Sequence, residues 1–140
     1  MRMEKHWAKS ISLHLYTSNL KETIYFYTVI LGFDCDDVID TQAVFSFNTT
    51  SFIFSVEERL KHNFPYHIYI EVRNIEQLWD SIRYKVDVYS AVSDAQDGNS
   101  IEFVIFDNNN NFIRFYEKNL NKQLNIDFYK FGGFPTVESK

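Results

Sequence analysis

The chain has 140 residues, 45% of them hydrophobic and 18% aromatic, which suffices for one ordinary domain with a sizeable core. A formal net charge of −5 with no cluster of Lys and Arg argues against nucleic-acid binding. Residues 1–10 lack the apolar core of a signal peptide, and no apolar run reaches the ~20 residues of a membrane helix. The single cysteine forms no internal disulfide. We therefore expect a cytoplasmic protein without nucleic-acid or membrane partners.

The first half of the chain predicts a strand, a helix and three more strands. Residues 11–17 alternate apolar and polar, which places Ser12, His14 and Tyr16 on one face of a half-buried strand. Asn19 and Glu22 have the spacing of a helix-capping pair, and Gly32 stands where the helix would end. The apolar stripe of that helix is Leu20, Ile24, Tyr27 and Leu31. Strand-like segments follow at 33–39, 42–48 and 50–56, the last two joined by a short turn at Asn48-Thr49.

The second half repeats this order. Residues 66–72 alternate, and Asn74 is the predicted cap of a second helix with the stripe Ile75, Leu78, Trp79 and Ile82. Further strands are predicted at 85–92, 100–106 and 112–118, and the DNNNN run at 107–111 predicts a hairpin connection.

The two halves align with each other. Ser12 falls on His67 and Asn19 on Asn74 at an offset of 55, and FIFSVE (52–57) matches FIRFYE (112–117) at an offset of 60. Such self-similarity predicts a duplicated unit. We therefore predict an α+β fold of two βαβββ modules with eight strands and two helices. Module 1 covers about 11–57 and module 2 about 66–118 of a single domain, 1–140, with a C-terminal extension at 119–140.

Three segments resemble the vicinal-oxygen-chelate superfamily, which includes the glyoxalase, bleomycin-resistance and extradiol dioxygenase-like proteins. SLHLYTSNLKETIYFYTVILGF is similar to its first strand and helix, with the turn Leu31-Gly32-Phe33, and HIYIEVRNIEQLWDSI to the strand and helix of its second module. FDNNNNFIRFYE lies where the superfamily often carries a D-P-D-G-N-x-I-E-L hairpin. The resemblance implies a glyoxalase/bleomycin-resistance-like fold and a homodimer, with activities that range from metal-dependent catalysis to metal-free drug binding.

The resemblance also implies four metal-ligand positions, which in this sequence hold Ser12, Phe54, His67 and Arg114. Only His67 is a good ligand, because Phe54 has no donor atom and Arg114 is permanently cationic. A divalent-metal site needs at least three protein donors, so we expect neither a metal nor another cofactor. A displaced site of His14, His67 and Glu71 remains an alternative.

The remaining polar and aromatic side chains predict a cleft for a small molecule. Aromatic walls with a few fixed polar groups are typical of such pockets. We expect Arg114 either to pair with Glu102 or Glu71 or to bind a ligand anion. We expect the ligand-binding residues on the sheet face opposite the helices, and they are Ser12, His14, Tyr16, Phe54, His67, Tyr69, Glu71, Arg114 and Tyr116.

The leading hypothesis is a metal-free protein of the glyoxalase/bleomycin-resistance type that binds an amphipathic or anionic small molecule. The alternatives are a metal-dependent lyase, isomerase or dioxygenase with unusual ligands, and a structural or regulatory interaction protein. No catalytic residue is identified, since Ser12 and His14 lie too far apart along their strand to form a nucleophile pair. We expect the tail at 128–134 to contribute to the dimer contacts or to cover the cleft.

Overall fold

The structure, a computed structural model, describes Trp7 and residues 11–47, 50–57 and 65–119. The predicted turn at Asn48-Thr49 and the tail at 128–134 lie outside the described residues. Among the described helices, none is long and apolar enough to cross a membrane. The strands are β1 (Ser12–Thr17), β2 (Asp34–Ile39), β3 (Gln42–Phe47), β4 (Thr50–Val56), β5 (His67–Glu71), β6 (Asp87–Asp94), β7 (Ser100–Phe106) and β8 (Phe112–Lys118). The helices are α1 (Leu20–Tyr25), which continues into a π-helical segment (Phe26–Ile30), and α2 (Ile75–Ile82).

The described residues form two units, which are treated one at a time. Unit 1 holds the described part of 1–66 together with 107–111, and unit 2 holds 67–106 and 112–119. The sheet of unit 1 has the order β1-β4-β3-β2, and that of unit 2 has the order β5-β8-β7-β6. In each sheet the first pair is parallel and the others are antiparallel. This confirms the predicted α+β fold with two βαβββ modules.

The core of unit 1 is an aromatic cluster centred on Tyr27. This side chain is 0% exposed and contacts the rings of Phe33, Phe45, Phe52 and Phe54 at centroid distances of 5.2 to 5.8 Å. Tilted and edge-on ring pairs at these distances stabilise a core beyond the area that they bury. The predicted apolar stripe of the first helix therefore packs on β3 and β4 chiefly through Tyr27, which lies in the π-helical segment.

Both ends of the first helix follow the sequence. The Asn19 side chain accepts a hydrogen bond from the backbone N–H of Glu22 at 3.1 Å, which satisfies one of the free donors of the first turn. Past the π-helical segment, Gly32 adopts φ +80, a left-handed conformation that ends the helix and that glycine adopts without steric cost.

The DNNNN run forms a buried polar network in unit 1 around Asp107, whose side chain is 3% exposed. Oδ2 of Asp107 accepts from the hydroxyl of Tyr27 at 2.7 Å and from the amide of Asn111 at 2.9 Å. Its Oδ1 accepts from the backbone N–H groups of Asn109 and Asn111, both at 2.8 Å. The predicted connection between β7 and β8 is confirmed, and its carboxylate is satisfied by four donors.

In unit 2, the helix packs on β7 and β8 through its predicted stripe. Ile75 and Ile82 are buried, and the ring of Trp79 meets that of Phe103 edge-on at 5.0 Å. Asn74 occupies the predicted N-cap position, but it has φ 54 and its side chain makes no capping hydrogen bond. The carboxylate of Glu117 on β8 accepts from the backbone N–H groups of Asn74 at 3.0 Å and Ile75 at 3.1 Å instead. A carboxylate satisfies these donors and also suits the positive end of the helix dipole.

Candidate functional site

Each helix lies on one face of its sheet, and we call the other face of each sheet the open face. In unit 1 the open face carries Ser12, His14 and Tyr16, which are all exposed. In unit 2 it carries the predicted residues His67, Tyr69, Glu71, Arg114 and Tyr116, because β5 and β8 pair Tyr69 with Arg114 and Glu71 with Tyr116. The predicted sharing of a face is thus confirmed within each unit. The alternative metal site of His14, His67 and Glu71 takes residues from both units and stays a prediction.

Phe54 is the exception, and its predicted place on the open face is wrong. It is 0% exposed, pairs with Leu15 and packs against Tyr27 on the helix side of the sheet. The cause is a one-residue error in the alignment of the two modules. Ile53 pairs with His14 as Arg114 pairs with Tyr69, which is an offset of 61 and not 60. A shift of one residue moves every side chain of a strand to the opposite face.

The open face of unit 1 joins a histidine to a serine that the sequence did not single out. Nε2 of His14 lies 2.6 Å from Oγ of Ser55, and the imidazole stacks on the ring of Tyr16 with centroids 5.0 Å apart. Ser12 pairs with Ser51 at 2.9 Å between the two hydroxyl oxygens. The available signal was the alternation of β4, in which Ser51, Ile53 and Ser55 interleave with buried Phe52 and Phe54.

The open face of unit 2 carries a group of touching rings, His67, Tyr89, Phe106 and Phe112, which we call the aromatic patch. The imidazole of His67 stacks on Phe112 with centroids 4.9 Å apart and an interplanar angle of 9°. Tyr89 meets Phe112 edge-on at 5.1 Å and Phe106 at 5.6 Å, while 60% of Tyr89 remains exposed. Of these four residues, the sequence analysis identified only His67. Tyr89 on β6 and Phe112 on β8 are far apart in the sequence, and the fold of the sheet brings them together.

Arg114 lies on the same open face and forms an ion pair with Glu102, one of the two internal partners expected for it. Its guanidinium also lies 5.6 Å from the centroid of Tyr69. Burial alone would lower the pKa of Arg114, but the hydrogen bond and charge of Glu102, together with Tyr69, raise it above its ordinary value. The arginine is therefore a fixed cation whose charge is already balanced by a neighbouring carboxylate.

No protein-family model matches the chain, and no curated protein matches it in sequence. Solved structures do match. A glyoxalase/bleomycin resistance protein/dioxygenase from Alicyclobacillus acidocaldarius superposes with a TM-score of 0.65 at 18% identity, over 79% of this chain and 91% of that chain. The chain has the glyoxalase/bleomycin-resistance fold.

Two more structures are similar to this fold at low identity. TioX from Micromonospora sp. ML1 has a TM-score of 0.65 at 10% identity and covers 80% of this chain and 100% of its own. The virulence protein STM3117 from Salmonella typhimurium has a TM-score of 0.64 at 16% identity, over 85% of this chain and 100% of its own. These similarities establish the fold alone, so any activity has to be inferred from the residues of the open faces.

The metal positions that the sequence resemblance implies hold few metal-binding groups in either unit. With the corrected register they are Ser12 and Ile53 in unit 1 and His67 and Arg114 in unit 2. Unit 1 contributes a hydroxyl and an alkyl chain, and unit 2 contributes an imidazole and a guanidinium, so neither unit offers at these positions the three good donors of a stable divalent site. Within residues 11–47, 50–57 and 65–119, no group of three or more His, Cys, Asp or Glu is placed to hold a metal.

Proposed function

We propose that the chain is a metal-free small-molecule-binding protein that holds an amphipathic ligand with an aromatic ring on the open face of unit 2. The observation that carries the proposal is the aromatic patch. Tyr89 leaves 60% of its surface exposed although it contacts two other rings. A flat ring that settles against such a surface gains apolar burial and edge-on or stacked ring contacts.

The ion pair of Arg114 and Glu102 supplies the polar part of the binding surface. The side chains of Arg114 and Glu102 keep 31% and 18% of their surface exposed, so both remain within reach of a ligand. A ligand hydroxyl or carbonyl can bond to this pair without breaking it. An anionic group must instead compete with the carboxylate of Glu102 for the guanidinium, and it gains less for that reason.

The residues at the metal positions support the metal-free form of the proposal. A metal-dependent lyase, isomerase or dioxygenase needs several donors around one open coordination position. The chain offers His67 alone among good ligands at those positions, and His67 stacks on Phe112.

Equilibrium dialysis with two naphthalene probes tests the proposal. We expect neutral 1-naphthalenemethanol to bind more tightly than naphthalene-1-sulfonate. Tyr89→Ala removes a ring of the aromatic patch, which should weaken binding of the neutral probe about five- to tenfold, since one ring contact contributes about 1 kcal/mol.

Tyr84→Ala is the matched control, because Tyr84 is an 84% exposed tyrosine of the same unit that stacks with Arg83 and not with the patch. Binding in the control should equal that of the unmodified protein. If neither probe binds, or if both variants lose binding equally, the aromatic patch is not the ligand site.

A further inference from the structure

The open face of unit 1 brings together a hydroxyl and an imidazole from strands distant in sequence. Oγ of Ser55 on β4 lies 2.6 Å from Nε2 of His14 on β1. Ser55 is 8% exposed, and the stacking of Tyr16 on the imidazole holds the ring in place. A serine and a histidine within hydrogen-bond reach are the first requirement for nucleophilic catalysis.

Two further polar groups flank Ser55 on the same face. β1 and β4 pair Tyr16 with Ser55, and β3 and β4 pair Gln42 with Ser55. In an antiparallel pair such as Gln42 and Ser55, the Cβ atoms of directly opposite residues lie about 5 Å apart. Within the described part of the chain, neither the phenol of Tyr16 nor the amide of Gln42 makes a hydrogen bond. Both are donors on strand positions that flank Ser55, where an oxyanion formed at Ser55 would need hydrogen-bond donors.

We propose that Ser55 and His14 form a nucleophile–base pair that accepts the acyl group of an activated aryl ester. Oγ of Ser55 attacks the carbonyl carbon while Nε2 of His14 takes the hydroxyl proton. The bond from the carbonyl carbon to the aryl oxygen then breaks, the aryl oxide leaves with the proton from His14, and an acyl-serine remains. Water attacks that ester with His14 as the base, which releases the acid and restores Ser55.

The pair is slower than a complete triad. Among the described residues, no carboxylate bonds to Nδ1 of His14, and loss of that partner lowers turnover by about 10⁴-fold in serine hydrolases. The expected reaction is therefore acylation of Ser55 followed by slow release of the acid. This activity belongs to unit 1 and does not depend on ligand binding by the aromatic patch in unit 2.

The experiment exposes the full chain to p-nitrophenyl acetate, measures p-nitrophenol release, and maps the acetylated residue by tandem mass spectrometry. We expect one acetyl group on Ser55. Ser55→Ala should abolish acetylation at position 55, because alanine has no hydroxyl to carry the acetyl group. His14→Gln should lower the rate of acetylation about 100-fold, which is the typical contribution of a general base.

Ser51→Ala is the control, because Ser51 lies on the same strand and open face but pairs with Ser12. In the Ser51→Ala variant, Ser55 should be acetylated at the same rate as in the unmodified protein. Acetyl groups confined to Ser51, lysines or tyrosines, or a rate unchanged in His14→Gln, would overturn the proposal. If Ser55→Ala does not fold, the mapped residue and the His14→Gln rate still decide the question.

Discussion

Tyr27→Phe tests the buried network that joins the first helix to the DNNNN loop. The substitution keeps the ring, which packs among four phenylalanines, and removes only the hydroxyl. That hydroxyl donates to Oδ2 of Asp107 at 2.7 Å, where Tyr27 is 0% and Asp107 3% exposed. After the change, the amide of Asn111 is the donor that remains on Oδ2.

The expected loss follows from the burial of both partners. A hydrogen bond to a charged group contributes about 1.5–3 kcal/mol, and water does not replace the lost donor in a site this buried. We expect the free energy of unfolding to fall by about 2 kcal/mol, which lowers the melting temperature by roughly 8 °C for a chain of this size. Tyr25→Phe should change neither quantity, because Tyr25 lies on the same helix and is 58% exposed.

The Tyr27→Phe substitution should also change how the free energy of unfolding depends on pH in alkaline solution. Burial, and then the negative charge and hydrogen bond of Asp107, raise the pKa of Tyr27 well above its ordinary value. The folded state therefore holds this proton more tightly than the unfolded state, in which tyrosine has a pKa of about 10. The resulting stability is fully present below about pH 10 and is lost as the pH rises through the folded pKa.

Urea unfolding at pH 8 and at pH 10.5 measures both effects. The unmodified protein and Tyr25→Phe should lose more stability between the two values than Tyr27→Phe does. A Tyr27→Phe variant that unfolds within 0.5 kcal/mol (about the error of the method) of the unmodified protein at pH 8 would refute the account of this network.

The remaining predictions concern the helix cap, the ion pair and assembly. Glu117→Ala removes the acceptor for two backbone N–H groups at the start of α2 and should cost about 1 kcal/mol in thermal unfolding, whereas an unchanged midpoint would contradict the cap. Glu102→Gln frees the charge of Arg114 and should tighten naphthalene-1-sulfonate binding about tenfold in dialysis; an unchanged affinity would show that the arginine does not face the ligand. Sedimentation at micromolar concentration should give a homodimer, and a monomer would refute that proposal.

The sequence predicted the elements because each strand and helix carries its pattern locally. β7 and β8 have the bounds that were predicted for them, 100–106 and 112–118. The alternation of β1 and β5 was enough to identify which of their residues share the open face. Local periodicity gives the face of a strand without knowledge of its neighbours.

The details that failed depend on contacts between distant residues. Phe54 was misplaced because the sequence alignment of the two modules used an offset of 60 in their last strands, whereas the strand pairing gives an offset of 61. Asn74 keeps the N-cap position without a side-chain cap, and the N–H groups of Asn74 and Ile75 are bonded by Glu117, a carboxylate from β8 that local sequence does not reveal. The contact of Ser55 with His14 spans 41 residues and exists only because β1 pairs with β4 in one particular register.

Ligand binding with and without a chelator tests the central claim most directly. Dialysis of 1-naphthalenemethanol against protein purified without chelator should give the same affinity before and after treatment with EDTA. The contrary result is binding that is lost with EDTA and restored by one equivalent of Zn, Ni, Mn or Fe, with no restoration in the His67→Ala variant. That result would contradict a metal-free binding protein and support a metal-dependent enzyme.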